Sequence, residues 1–367
     1  MVAAIALAFA ASATPAFAQV DSKPEQLFVL GDSLSDVGNA AAAADFLLGQ
    51  PVHPASAIGL CNPSDIYVLM RNCEDLFYRK SRVSDGPVAV EHLAVHLELP
   101  ALVPSFHVLP NRTITGTSYA VASGKAQGAG AENLARQVDM LIFDHGPLLS
   151  PTALYVVMIG GNDAIDALQA TLPAVVTSPE QSRSPPGAII AAAVAAIGAN
   201  VERLIDFGAR RIIVANVPDL AVFPGVRQRA RATADETATL AAASAISAAF
   251  NAALDARLDG ISRGRWTIRP VRAARFDLAA VMRTEQAAAA ASGLNAIDAC
   301  FDSETYLVST TAERMFHPDC APQEGAPDFA GFLFWDGIHP TGAAHAAIGA
   351  ALIELYESSP LMSVRAD

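Results

Sequence analysis

The apolar positions of this chain fall into short unbroken runs separated by longer, Ala-rich amphipathic stretches. Leu27 to Leu30, Leu154 to Ile159 and Arg211 to Val217 are continuous or nearly continuous runs, the last stopped by Pro218. Runs of this length predict strands buried on both faces, as in parallel sheets. The stretch near Thr117 and the run Trp266 to Val271 supply two more candidates. Between them the spacing predicts helices over 40–48, 86–100, 132–145, 189–207, 233–258 and 279–291, and a last one from Thr341 or Gly342 to about Glu357. Strand and helix alternate, which is the doubly wound α/β pattern. No internal repeat of solenoid length is visible, and one domain over 19–367 accounts for the pattern.

Polar residues cluster where predicted strands stop. Leu30 runs into Gly31-Asp32-Ser33, with the Ala-rich helix just behind. Strand, tight turn and helix lift a side chain to the carboxyl end of a parallel sheet, where ligands bind in open α/β folds. The run Leu154 to Ile159 ends in Gly160-Gly161-Asn162-Asp163, which also reads as an ordinary turn. A small-residue turn, Ser118-Tyr119-Ala120-Val121-Ala122-Ser123-Gly124, follows the Thr117 stretch. It does not fit the dinucleotide pattern of spaced glycines with an acidic partner. Near the C-terminus comes Asp336-Gly337-Ile338-His339-Pro340-Thr341. An Asp three residues before a His, on a loop, can bring the carboxylate to one ring nitrogen and leave the other facing outward; by itself the motif also reads as an Asp in a turn beside a surface His.

These residues complete a chemical set. A serine hydroxyl is a weak nucleophile and needs an adjacent base. The base needs a carboxylate to hold its tautomer and stabilise its cation. The oxyanion that develops needs preorganised donors. Ser33, His339 and Asp336 fill the first three roles. Asn162 and main-chain N–H groups at Ser33 and at Ser123 or Gly124 supply the donors. The G-x-S-x-G elbow of ordinary α/β-hydrolases is absent around Ser33.

Composition narrows the partners. The 367 residues are 52% hydrophobic and 17% charged, with a net charge of −13. That excludes a disordered chain and disfavours binding to phosphate backbones or docking on anionic lipid. Residues 1–18 are apolar and end in Ala16-Phe17-Ala18, a signal-peptide cleavage pattern, although no Lys or Arg precedes the apolar run. Export to the periplasm or medium is therefore expected, with no stable membrane anchor. In an exported chain the four cysteines suggest disulfides. Proximity favours Cys61 with Cys73 and Cys300 with Cys320, among three possible connectivities. His92 and His96 stand four apart on a helix without an evident third ligand, and no metal site is expected. Asn111-Arg112-Thr113 is a glycosylation sequon, Pro173 to Gly187 reads as a loop or flap, and Gln50 to Lys80 as an irregular excursion.

The ordered blocks resemble the GDSL lipase/esterases of the SGNH-hydrolase superfamily. Block one is Gly31-Asp32-Ser33-Leu34 with Ser35-Asp36-Val37-Gly38-Asn39; block three is Gly160-Gly161-Asn162-Asp163; block five is Asp336-Gly337-Ile338-His339-Pro340-Thr341. The resemblance implies a flavodoxin-like three-layer α/β/α sandwich of about five parallel strands in the order 2-1-3-4-5. It implies Ser33 as nucleophile, His339 as base, Asp336 orienting it, and no metal or organic cofactor. The oxyanion hole would comprise the Ser33 N–H, a block-two N–H and the Asn162 side chain. Block two departs from the family pattern: ungapped counting puts Ser123 where a Gly is usual, with Gly124 one place on. The branch resembled is that of secreted bacterial esterases, phospholipases and lecithinases, so a small-molecule or lipid ester is the expected substrate. An acyltransferase or polysaccharide O-deacetylase would use the same triad, and a silent binding module would keep only the fold. Phe332, Leu333, Phe334 and Trp335, just before the acid–base pair, read more readily as core than as an acyl-chain contact.

Overall fold

The computed structural model describes residues 19–21, 23–48, 81–110, 116–171, 184–265, 271–301, 316–320, 328–359, 361 and 363–365. The leader over 1–18, the excursion over 50–80 with Cys61 and Cys73, the sequon, and all but the last four residues of the 173–187 loop lie outside them.

Four strands form a parallel sheet: β1 (Leu27–Gly31), β2 (Leu154–Met158), β3 (Arg211–Ala215) and β4 (Arg272–Phe276), hydrogen-bonded in that order. Every residue of β1, β2 and β3 is buried, which is why these segments read as apolar runs, broken only by Arg211 at the start of β3. The Thr117 stretch lies along the free edge of β1 as an isolated parallel bridge, Val29 to Ser118. The Val29 N–H donates to the Thr117 carbonyl at 3.0 Å, and the Tyr119 N–H donates to the Val29 carbonyl at 2.7 Å. Counting this segment second in the chain, the order is 2-1-3-4-5.

Helices cover both faces, making a three-layer α/β/α architecture. After β1 come α1 (Asn39–Leu48), α2 (Ala89–His96) and α3 (Leu134–His145), then α4 (Gly161–Thr171) and α5 (Pro186–Asp206) after β2. Beyond β3 follow α6 (Pro224–Arg231), α7 (Glu236–Arg265), α8 (Leu278–Ala291) and α9 (Gly342–Ser358). On one face α2 packs on α9, which also meets α8; on the other, α5 packs against α3, α4 and α7. On α5 the residues Ile190, Val194, Ile197, Val201 and Leu204 are all buried, a stripe at helical spacing. Burying each such aliphatic contributes about 1.5–3 kcal/mol.

Two expectations fail in instructive ways. The last strand is Arg272–Phe276, beyond the run Trp266 to Val271, of which only Val271 is described. It is an edge strand with Arg275 exposed and ion-paired to Asp255 and Asp259 of α7, so its charge hides it from an apolar-run reading. The Gly160–Asp163 segment is more than a turn: Gly161 begins α4. Helix α6 and a parallel pair, β5 (Asn295–Ala299) with β6 (Phe332–Phe334), went unforeseen. Around that pair a second, smaller cluster joins Phe301, Phe316, Phe332 and Trp335 to the Cys300–Cys320 disulfide. Phe332, Leu333, Phe334 and Trp335 are all buried and belong to the core.

Candidate active site

The turn after β1 is built by close approach. A Cβ on Gly31 would overlap the Met158 carbonyl oxygen of β2, so only glycine lets the two strand ends meet. The Asp32 N–H donates to that carbonyl at 3.3 Å. Four residues on, Asp36 organises the loop. Its Oδ1 accepts from the N–H groups of Gly38 (2.7 Å) and Asn39 (2.8 Å), and its Oδ2 from Ala40 (3.0 Å) and Ala122 (2.8 Å). One carboxylate thus caps the N-terminus of α1 and ties block one to block two. Asn39 adds two bonds from Nδ2, to the carbonyls of Ser118 and Ala120, both 2.9 Å.

The loop carrying the histidine is braced from the other side. The Trp335 N–H donates to the His339 carbonyl at 2.8 Å, and Ser84 Oγ donates to the Pro340 carbonyl at 3.2 Å. Asp85 Oδ1 accepts from the Gly342 N–H at 2.8 Å. A Cβ on Gly86 or on Gly342 would sit 2.6 Å from the other's Cα, so the two backbones cross in contact.

These supports bring together three side chains separated by up to 306 positions. His339 Nε2 lies 2.8 Å from Ser33 Oγ, and His339 Nδ1 lies 2.9 Å from both Asp336 oxygens. Asp336 Oδ1 also accepts from the N–H groups of Ile338 (2.9 Å) and His339 (2.7 Å). All three residues are buried, with Ser33 8% exposed. Because the carboxylate sits at Nδ1, that nitrogen carries the proton and Nε2 is free to accept one.

Asn162 stands in the first turn of α4 and donates from Nδ2 to the Gly124 carbonyl at 2.9 Å. Its neighbour Asp163 accepts from the Ala126 N–H at 2.7 Å, so block three grips block two at both positions. The Gly124 N–H is spent on the Val121 carbonyl at 3.0 Å, whereas the N–H groups of Ser33 and Ser123 have no acceptor among the described residues. Ser123 has φ 66°, the left-handed conformation in which a glycine is the easier residue.

Burial sets the electrostatics. Asp32, beside the serine, has its carboxyl pushed up to about 7. Burial is the main cause; the Leu34 N–H and His339 pull it back, and Asp163 adds to the rise. Burial likewise raises Asp163 to about 6. Asp36 is also raised by burial, with its four N–H donors opposing. His345 on α9, wholly buried, is held down at about 3, so it stays neutral while its Nδ1 accepts from the Ala89 N–H.

Ser33 and His339 open on a cleft lined also by Asp32, Leu34, Gly161, Asn162, Ile165, Pro218, Phe223 and Ile338. Among the described residues no group of three His, Cys, Asp or Glu is placed to hold a metal ion. His96 of the His92/His96 pair contacts Glu357 at 3.0 Å instead. Cys300 and Cys320 are bonded to each other.

Residues 27–352 match the family model of GDSL-like lipase/acylhydrolases, which is most of the chain. The chain belongs to this family. A curated relative, the inactive GDSL esterase/lipase-like protein 23 of Arabidopsis thaliana, is 23% identical over 223 residues. The match takes in 57% of this chain and 50% of that protein, so the chain spans about half the length of the relative.

Within this GDSL frame a second set of residues supports the site from behind. Asp36 was legible, as an acidic residue just before a helix start. Ser84 and Asp85 carry no local signal, because they act on residues far away in the chain.

Proposed function

We propose that this GDSL-family chain is a serine hydrolase of carboxylic esters, acting through an acyl-enzyme on Ser33. The observation that carries the reading is the continuous hydrogen-bonded line Ser33 Oγ, His339 Nε2, His339 Nδ1, Asp336, at 2.8 and 2.9 Å. A structural Ser or His does not need this line, and catalysis does.

In the proposed reaction His339 Nε2 takes the Ser33 proton as Oγ attacks the ester carbonyl. Asp336 stabilises the imidazolium that forms. The tetrahedral oxyanion is received by the N–H groups of Ser33 and Ser123 and by Asn162 Nδ2. Ser123 rather than Gly124 is assigned the block-two role, because the Gly124 N–H is already spent within its turn. The bond from Asn162 to the Gly124 carbonyl fixes the amide and leaves its second hydrogen for the substrate. His339 then protonates the leaving alcohol, water repeats the attack on the acyl-enzyme, and the acid departs. No step requires a metal or organic cofactor.

The relative's description as inactive motivates one other reading, a catalytically silent member. An acyltransferase or deacetylase would use the same line of residues. Hydrolysis of p-nitrophenyl esters by the chain and by Ser33→Ala, with labelling by a fluorophosphonate, tests the proposal. Turnover and labelling that both vanish in Ser33→Ala are expected; a folded wild type that neither turns over nor labels would sink it. Added alcohol acceptors distinguish hydrolysis from transfer. Export is part of the same proposal, and the Cys300–Cys320 disulfide supports it, since such bonds persist in oxidising compartments.

A further inference from the structure

Helices α2 and α9 satisfy each other at their N-termini. The first N–H of α9, on Gly342, donates to Asp85 Oδ1 at 2.8 Å, and the first N–H of α2, on Ala89, donates to His345 Nδ1 at 3.3 Å. Asp85 stands four residues before α2, and His345 is the fourth residue of α9. The opening N–H groups of a helix have no acceptor within it, so each helix here takes one from the segment that carries the other. Neither partner is local, for 257 and 256 positions separate the two pairs. The helices stay in contact further along, where a Cβ on Gly349 would lie 2.7 Å from the Cβ of His92.

This exchange of caps sits against the base. His339 lies three residues before Gly342, and the Pro340 carbonyl between them accepts from Ser84 Oγ, next to Asp85. Thr341 ties the other side of the loop to β6: its N–H donates to the Leu333 carbonyl at 3.0 Å and its Oγ1 to that of Phe332 at 3.1 Å. The place where α9 begins therefore sets where His339 stands. His345 is buried, and its Nε2 has no partner among the described residues, so the bond from Ala89 is the ring's own hydrogen bond there. Burial first, then the nearby His339 and His92, hold the ring down at about 3. It stays neutral beside the cation that forms on His339.

We propose that Asp85 and His345 are positioning residues for His339: by capping α9 and α2 reciprocally they fix where α9 begins, and through it the distance of the base from Ser33. The proposal rests on the ester-hydrolase reading, in which His339 is the base, and adds two residues outside the Ser33–His339–Asp336 line. That line tolerates little slack. Ser33 Oγ and His339 Nε2 are 2.8 Å apart, and a misplacement of about 1 Å costs on the order of a hundredfold in rate. Neither Asp85 nor His345 lines the cleft, so a change at either reaches catalysis through the loop and not through the substrate.

The test compares, in the full chain, variants that keep each acceptor with variants that remove it. Asn places its Oδ1 near the position of a histidine Nδ1, so His345→Asn keeps the bond from Ala89 and His345→Leu loses it. Asp85→Asn and Asp85→Ala make the same comparison at the other cap. The readouts are kcat and KM on p-nitrophenyl butyrate, the rate of Ser33 labelling by a fluorophosphonate, and the urea midpoint. In His345→Leu and Asp85→Ala, kcat and the labelling rate of the folded protein are expected to fall about tenfold to a hundredfold. KM is expected to stay within about twofold, and the Asn variants to keep kcat within about threefold of wild type. Caps with a structural role alone would lower the urea midpoint and leave kcat and labelling of the folded protein unchanged. That result overturns the proposal, as does an equal loss in the Asn variants. If His345→Leu does not fold, the half-buried Asp85 carries the comparison. An active, labelled wild type whose variants all keep full rates removes only the positioning role. A folded wild type that neither turns over nor labels removes the hydrolase reading and the positioning role together.

Discussion

Gln137 grips both main-chain polar groups of Gly31. Its Oε1 accepts from the Gly31 N–H at 2.8 Å, and its Nε2 donates to the Gly31 carbonyl at 2.7 Å. Gln137 is fully buried on α3, and Gly31 is the last residue of β1, two before the serine. A side chain 106 positions away thus does for the end of β1 what a neighbouring strand would do. Gln137→Leu leaves the buried Gly31 N–H without its acceptor, at a cost of about 1–3 kcal/mol. Urea unfolding should show that loss, and ester turnover should fall with it as the Ser33 turn loosens.

Asp336→Asn tests the orienting carboxylate. The amide oxygen still accepts from the Ile338 and His339 N–H groups, so the fold should survive. The imidazolium loses its counter-charge and the tautomer its anchor, and kcat should drop on the order of ten-thousandfold.

Asp32 makes stability depend on pH in a definite direction. Its folded carboxyl is raised to about 7, against about 3.9 in an unfolded chain. Between those values the native state binds more protons than the unfolded one. The contribution of Asp32 is therefore fully present below about pH 4 and is lost as pH rises through about 7. Asp163, raised to about 6, acts with the same sign. Asp32→Asn keeps an oxygen for the Leu34 N–H and removes one of these two terms. Relative to wild type, it should gain stability on going from pH 5 to pH 8, on the order of a few kcal/mol. Denaturant titrations at the two pH values check this, and a gain that shrinks with pH would contradict it.

Ser123 carries a backbone cost that the family's usual glycine would not. An L-residue in the left-handed region costs about 1–2 kcal/mol, and its φ is 66°. Part of that relief is cancelled by the extra freedom of glycine in the unfolded chain. Ser123→Gly should therefore raise stability by up to about 1 kcal/mol, read as a higher Tm. Hydrolysis should persist, because the donor assigned at this position is a main-chain N–H.

Much of this molecule is local in origin, and that part is legible in the sequence. β1 and β2 are buried on both faces and apolar throughout, and β3 is apolar from Ile212 to Ala215, with the charge of Arg211 only at its first position. Glycine and small residues mark the turns because the backbones there touch. Asp336 and His339 stand three positions apart on one loop whose own N–H groups hold the carboxylate, so their meeting is local. The tertiary structure decided what depends on distant residues. It placed Ser33 against a histidine 306 positions away. It made β4 a strand despite its arginines, because α7 supplies the carboxylates that face Arg275. It recruited Gln137, Ser84 and Asp85, which nothing around them distinguishes, and it spent the Gly124 N–H within a turn while that of Ser123 meets no acceptor among the described residues. Periodicity and turn chemistry act over a few residues, whereas a buried polar group is satisfied by whichever part of the folded chain reaches it.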